Sequence, residues 1–284
     1  MIALVTASSA RHLDDDLSAL SAALTRTDIE HRIEAWDDAS VRWENYELAV
    51  VRSTWDYPTR VRDFIRWIDD VATRTRLFNP PDVLRWSTDK HYLADLAAAG
   101  APVVPTTFVE PGDDVTIADG DHVLKPAIGV GATDCLRISN DNRLDAIAHI
   151  RRLLESGRAV MLQPYVGGID AYGETALIYI DGGFSHAVRK GAILGSPPDM
   201  VEGLYAREDI STRTPTTAER RVADQTLAAV AVGPLLYARV DVVPGGEGPL
   251  VLELELCEPS LYLRFGDGAA DRLAAAIGDR RRPR

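Results

Sequence analysis

Asp241, Glu253 and Glu255 stand in two otherwise apolar segments, Tyr237-Ala238-Arg239-Val240-Asp241 and Val251-Leu252-Glu253-Leu254-Glu255-Leu256. An ionised carboxylate in such company is very costly unless a cation pairs with it. Alternate residues of a strand share a face, so Glu253 and Glu255 point the same way. A hairpin turning through Gly245, Gly246 and Gly248 sets Asp241 opposite Glu253, and the three acids converge. Clustered hard oxygen ligands that leave room for water and phosphate oxygens suit Mg2+ better than zinc. The plainer reading is an edge hairpin with its acids solvated on the outer face.

Basic and polar residues elsewhere could meet such a cluster. Lys125 ends an apolar strand before Pro126 and the loop Gly129-Val130-Gly131-Ala132-Thr133. A lysine beside a short glycine loop can hold phosphate oxygens, the ammonium as a point charge and the loop amides as donors. The spacing is neither a Walker A nor a dinucleotide fingerprint, and an ordinary turn explains it as well. Lys90, early in a helix, is equally open. Gln163-Pro164-Tyr165-Val166 ends a strand; the proline removes a donor and keeps the chain extended, leaving backbone groups for a base edge or simply ending the strand. Arg189 and Lys190 close another strand and could neutralise a phosphoryl group or a carboxylate, or be solvated. Arg52, Ser53, Thr54, Trp55, Asp56 and Tyr57 follow the strand Leu48–Val51, at the end where ligands of open α/β sheets sit. No serine lies in a Gly-x-Ser-x-Gly elbow, and the six histidines lack metal-ligand spacing, which weakens hydrolase readings.

The elements that would position these groups alternate along the first third. Residues 2–6, 31–36 and 48–51 read as strands, and 15–25 and 59–73 as amphipathic helices, a pattern of parallel α/β layers. Asn79-Pro80-Pro81 punctuates the end of that layer. A helix is then expected from Ser87 as N-cap to Gly100, followed by strands at 103–109, 123–125, 135–138 and 159–165, with a helix over 144–154. Asp181-Gly182-Gly183 marks a hairpin between strands 176–179 and 184–189. Residues 191–214 lack periodicity; so long a connection is more often a functional loop than idle linker. Helices at 217–231 and 271–277 complete the chain.

The chain has 284 residues, enough for two or three lobes, with 46% hydrophobic and 26% charged residues. Its net charge of -12 argues against a nucleic-acid or anionic-membrane surface. Cys135 and Cys257, far apart, imply no disulfide framework. No leader-like segment and no apolar run near bilayer length occurs, so the expectation is a soluble, cytoplasmic protein.

Taken in order, Asp89-Lys90, Leu124-Lys125-Pro126 with its glycine loop, Leu162 to Val166, Arg239-Val240-Asp241 and Glu253-Leu254-Glu255 with Pro259 resemble the ATP-grasp superfamily, in its glutathione-synthetase-like branch. The resemblance implies an α/β fold of three lobes, here 1–84 on the substrate side, 85–165 with the glycine loop and 166–284 with the metal site, ATP lying between the last two. It implies ATP contacts from Lys90, Lys125, Gly129, Gly131 and Gln163, Pro164, Tyr165 and Val166. Mg2+, two ions with Mn2+ able to replace it, would rest on Asp241, Glu253 and Glu255. Arg189, Lys190 and Arg239 would be the catalytic cations, Arg189 matching a family arginine. Glu255 departs from a common asparagine, and Gly173-Glu174-Thr175 stands where relatives often carry a basic residue. Finer features, among them Arg52-Ser53-Thr54-Trp55-Asp56-Tyr57 and Ser185-His186-Ala187-Val188-Arg189-Lys190, are similar to the O-ureido-serine cyclo-ligases. That likeness implies a small amino-acid-like substrate held by Arg52, Ser53, Trp55, Asp56 and Tyr57, ring closure to cycloserine, no nucleic-acid or membrane partner, and a possible homodimer. A ligase joining two separate molecules and a non-catalytic ATP-binding regulator are the alternatives.

Overall fold

A computed structural model describes residues 1–192, 200–206, 208–230 and 235–281. The chain opens with β1 (Ile2–Thr6), α1 (Asp15–Arg26), β2 (His31–Ala35), β3 (Leu48–Ser53), α2 (Val61–Ala72) and β4 (Arg76–Phe78). These strands form a parallel sheet in the order β2-β1-β3-β4. Both β1 and β3 are buried along their whole length, as continuous apolar runs in a parallel sheet should be. α1 starts where the Asp14 carboxylate accepts from the Asp16 amide. α2 presents Phe64, Trp67, Ile68 and Val71 to the sheet, where Phe64 and Trp67 join Trp36 in a ring cluster.

Two short helices follow, α3 (Pro81–Ser87) and α4 (Tyr92–Ala98). The single helix expected from Ser87 is therefore corrected. Pro81 takes the first helical position, where its missing N–H costs nothing, and Ser87 ends that helix rather than capping the next. A second sheet holds β5 (Thr107–Val109), β6 (His122–Pro126), β7 (Leu136–Ile138) and β8 (Val160–Pro164), with α5 (Arg143–Glu155) packed on it, in the order β5-β8-β6-β7. Of the strand expected over 103–109, only its end pairs with β8; Val103 bridges to Val251.

After α6 (Ile169–Tyr172) come β9 (Glu174–Ile180), β10 (Gly183–Lys190), β11 (Met200–Val201), β12 (Tyr205–Ala206), β13 (Ile210–Thr212), α7 (Thr217–Ala229), β14 (Tyr237–Pro244), β15 (Pro249–Glu255) and α8 (Ala269–Arg281). The third sheet is antiparallel, in the order β13-β10-β9-β14-β15. A capping box between Thr216 and Glu219 starts α7. The long connection is thus partly ordered as β11, β12 and β13; its Gly195, Pro197 and Pro198, like Ala231 of the expected helix, lie outside the described residues. α8 returns to the first sheet: Leu273 and Ile277 share a core with Ile2, Leu4, Ile178 and Tyr237. Asn79 adds a polar tie, donating to the carbonyls of Tyr237 and Leu256 while accepting from the Leu236 amide. The first and third sheets are therefore locked together, which fixes the strands that carry the charged groups. Among the described residues no helix is long and apolar enough to cross a membrane.

Candidate active site

A cleft of about 490 Å³ runs between the three sheets and gathers most of the charged residues singled out in the sequence. On its floor, β14 and β15 pair so that Asp241 lies opposite Glu253 and Arg239 opposite Glu255. One oxygen from each of Asp241, Glu253 and Glu255 lies within 4.8 Å of the others. The expected convergence is thus a register fact, set by the hairpin and by the period of two along β15.

Cations ring the cluster. Lys125 Nζ is 2.8 Å from Glu253, Lys190 Nζ is 3.0 Å from Asp241, and Arg239 grips Asp241 at 2.9 and 3.0 Å while also donating to Glu255. Burial opposes ionisation of Asp241 and Glu253, yet Arg239 and Lys190 outweigh it at the first and Lys125 and Lys90 at the second; both carboxyls stay below the usual range. Glu255 differs. Burial, reinforced by Asp241 and Glu253, pushes it up to about 7 despite Arg239. Lys125, Lys190 and Arg239 thus hold the three acids together, and the crowding of carboxylates falls on Glu255. Three hard oxygen donors in that state fit Mg2+.

Lys90 Nζ donates to the Gly129 carbonyl at 2.7 Å, and its amide to Ala127, so the glycine loop is fastened to the start of α4. Gly131 is in the left-handed region, and a Cβ there would come within 2.5 Å of Leu204 O and Tyr205 Cα. Its carbonyl accepts from the Ala206 amide at 2.9 Å. Glycine loop and β11–β12 strip are therefore docked on each other over the cleft. Gln163, Pro164, Tyr165 and Val166 line the cleft at the end of β8. Gln163 Nε2 donates to Thr106 Oγ1 at 3.0 Å, while its Oε1 is buried without a partner. The Tyr165 ring stacks under Arg137, 3.6 Å from its guanidinium carbon.

Not every expected residue reaches this space. Of the adjacent pair, Lys190 points in, meeting Glu174 at 3.1 Å and Glu208 at 3.4 Å besides Asp241. Arg189 points away, donating to the Tyr172 carbonyl and facing Asp209, because neighbours in a strand take opposite faces. Of the two expected catalytic cations, the geometry brings Lys190 to the acids and leaves Arg189 outside the cleft. Beyond the end of β3, Trp55 and Tyr57 line the cleft; Trp55 Nε1 donates to the Glu258 carbonyl and Tyr57 stacks on Phe64. Arg52, Ser53 and Asp56 do not line it. Arg52 is buried over the Tyr237 ring and donates to the Pro259 carbonyl at 2.7 Å. Ser53 bonds Thr6, and Asp56 is held by Trp36 Nε1 and Arg60. Ser53 and Asp56 are thus satisfied inside the lobe, and Arg52 turns one of its nitrogens to Pro259.

Sequence reasoning missed several residues of the cleft. Glu174 had been noted only as the absence of a base; it pairs with Lys190 across one rung of the β9–β10 ladder. Glu208, in the long connection, accepts from Tyr262 Oη at 2.6 Å and so ties that connection to the residues after β15. Asp14 and Glu258 line the cleft as well. An acidic run before a helix reads as a cap, so nothing in the sequence marked Asp14.

Comparison with known proteins gives this geometry its kin. Residues 2–79 match the family model for the N-terminal domain of the D-cycloserine synthetase DcsG. The chain is 39% identical over 299 residues to the cycloserine biosynthesis protein DcsG of Streptomyces lavendulae, covering 100% of this chain and 99% of that protein. The crystal structure of D-cycloserine synthetase DcsG superposes with a TM-score of 0.90 at 37% identity, over 99% of both chains. A D-alanine–D-alanine ligase from Bacillus anthracis, solved with ATP, gives a TM-score of 0.70 at 13% identity over 99% of this chain and 96% of that one, a likeness of fold.

Proposed function

The chain belongs to the D-cycloserine synthetase family of ATP-grasp ligases, and on that footing we propose that it closes O-ureido-D-serine to D-cycloserine with ATP. The observation that carries the substrate is the 39% identity along the full length of a cycloserine biosynthesis protein. A substrate carboxylate oxygen attacks the γ-phosphorus of ATP, the bond to the bridging oxygen breaks, and ADP leaves. The ureido nitrogen bonded to oxygen then attacks the acyl-phosphate carbon and gives up its proton, while phosphate departs with the bonding electrons. Loss of the carbamoyl group from that nitrogen consumes one water and releases carbon dioxide and ammonia.

Positioning and charge neutralisation are the work left to the protein. Lys90 and Lys125 face the phosphates from the glycine-loop side of the cleft, and Gln163 to Val166 receive adenine. Asp241, Glu253 and Glu255 would hold Mg2+, as two ions replaceable by Mn2+; the metal supplies charge neutralisation at phosphate oxygens. Lys190 and Arg239, buried at the acids, offset charge on the transferring phosphoryl group. Trp55 and Tyr57 wall the substrate end. The docked glycine loop and β11–β12 strip keep water from the acyl phosphate. Intramolecular attack needs no second amine site, which suits a single small cleft. We assign the protein to the cytoplasm, where ATP is available.

The test is ADP release with Mg-ATP and O-ureido-D-serine alone, with mass spectrometry of the product. Turnover without added amine and a cycloserine mass support cyclisation. Turnover only when a second amino acid is added makes it a two-substrate ligase, and no turnover on any acid makes it a regulator.

A further inference from the structure

The cleft has two electrostatic ends. Lys90, Lys125, Lys190 and Arg239 gather at one of them, interleaved with the acids of the candidate metal cluster. At the other, the start of α1 brings Asp14, Asp15 and Asp16 to the wall. Two of these three carboxylates are spent. Asp15 pairs with Arg264 at the surface, and Asp16 accepts from the amides of Leu261 and Leu263 at 2.6 and 2.7 Å. Asp14 is not spent: it is 6% exposed, one oxygen caps the Asp16 amide, and Oδ2 is buried without any hydrogen-bond partner. Arg52 is the nearby cation, but no ion pair joins the two, and its Nε and Nη1 are themselves unpartnered. A buried, half-satisfied carboxylate costs free energy that a bound donor would recover.

The same segment spans the two ends. Arg239 Nη1 donates to the Ser260 carbonyl at 3.1 Å, and the next amide, Leu261 N, is the one held by Asp16. A molecule the size of an amino acid, its carboxylate among the cations, therefore carries its other charged group toward α1. The geometry points to Asp14 as the anchor for the α-ammonium group of the amino-acid substrate, the group that does not react. This rests on the ligase reading above. Asp14 is a positioning and specificity residue: with the carboxylate held at the far end, one fixed ammonium orients the Cα substituents and so the attacking ureido arm. Burial pushes the Asp14 carboxyl up to about 6 even with Arg52 lowering it, in keeping with an anion short of a counter-charge. The other occupant that could satisfy Oδ2 is a water bridging to Arg52.

The experiment compares wild type and Asp14→Asn on O-ureido-D-serine and on its des-amino analogue, 3-(ureidooxy)propanoic acid, by ADP release at saturating ATP. Asn keeps the helix cap, and Asp14→Ser serves if Asn does not fold. One charge-assisted hydrogen bond corresponds to about 10- to 150-fold, so KM for the amino substrate rises by that factor. KM for the analogue and for ATP stays within about twofold. Equal losses on both substrates, or an unchanged KM for the amino substrate, overturn the anchor and leave the bridging water. If O-ureido-D-serine drives no ADP release in wild type, it is the cyclisation reading that falls. The same comparison is then made with whichever amino acid does drive release and its des-amino form; release by des-amino acids alone overturns the anchor.

Discussion

Gly131→Ala separates the glycine loop from the strip that docks on it. The residue sits at φ +66°, where an L side chain costs about 1–2 kcal/mol. The added Cβ would lie 2.5 Å from Leu204 O and from Tyr205 Cα, both backbone atoms that cannot rotate aside. Relief requires the strip to lift, which breaks the 2.9 Å bond from Ala206 N to Gly131 O and loses about 0.5–1.5 kcal/mol more. The closed arrangement is therefore disfavoured by about 1.5–3.5 kcal/mol, or about 10- to 300-fold. kcat/KM for ATP, measured by ADP release at saturating Mg2+, should fall by that factor while the thermal midpoint barely moves, since neither segment belongs to the core of a sheet. Gly129→Ala is the control. Its φ is not left-handed and its Cβ would meet only Pro126, at 3.4 Å, so activity should persist. Wild-type kcat/KM in Gly131→Ala, or an equal loss in Gly129→Ala, would show that the docking has no part in turnover.

Asp241→Asn and Glu253→Gln should each leave the circular-dichroism spectrum unchanged and lower Mg2+-dependent ADP release by more than about 100-fold; normal turnover in either removes the metal assignment. Lys190→Gln withdraws the cation shared by Glu174, Glu208 and Asp241, and breaking so buried a pair costs about 3–5 kcal/mol. Urea denaturation should show that loss in the metal-free protein and a partial recovery with Mg2+; an equal loss with and without metal counts against a shared site. Asp14→Asn has a pH-dependent effect on stability. Burial raises the wild-type carboxyl to about 6, with Asp16 adding to this and Arg52 and Ser53 opposing it, against 3.8 when unfolded. As pH climbs from 3.8 to about 6 the unfolded chain gives up its proton first, so wild-type stability drops, by about 3 kcal/mol once above 6. The Asn variant does not titrate and should gain on wild type between pH 3.8 and about pH 6; a pH-independent difference in urea midpoints refutes this.

What the sequence disclosed follows from which features are local. Asp241 facing Glu253 needed only a short hairpin and the strand period, both legible in the residues. Arg189 and Lys190 show the limit. Adjacent residues must face opposite ways, but which one faces inward depends on the phase of β10, and an irregularity between Phe184 and His186 shifts its register with β9. Arg52, Ser53 and Asp56 stand at the strand end where ligands bind, yet their partners, Pro259, Thr6 and Trp36, come from elsewhere in the chain. Pro80-Pro81 read as punctuation because the same proline that closes one element opens α3. Asp14 was hidden because a cap and an anchor present the same residue type at the same place.

Glu174 poses the sharper question, because the family resemblance leads one to expect a positive charge at the start of this strand and the chain has an acid. β9 and β10 answer it by transposition: Lys190 is the register partner of Glu174, so the charge arrives from the neighbouring strand at the same rung. The exchange is not neutral. A basic residue at 174 would face the cluster from β9 alone, whereas Lys190, clamped by Glu174 on one side and Asp241 on the other, is held in place by two carboxylates and stays protonated although buried. Lys190 also reaches Glu208, which Tyr262 holds from beyond β15. The cation at the acidic floor is thereby wired to the connection that covers the cleft. Reversing the pair as Glu174→Lys with Lys190→Glu would keep the net charge but move Glu toward Glu208. A pair that only balanced charge would tolerate that swap; one that also fastens the cover would not, and ADP release by the double variant decides between them.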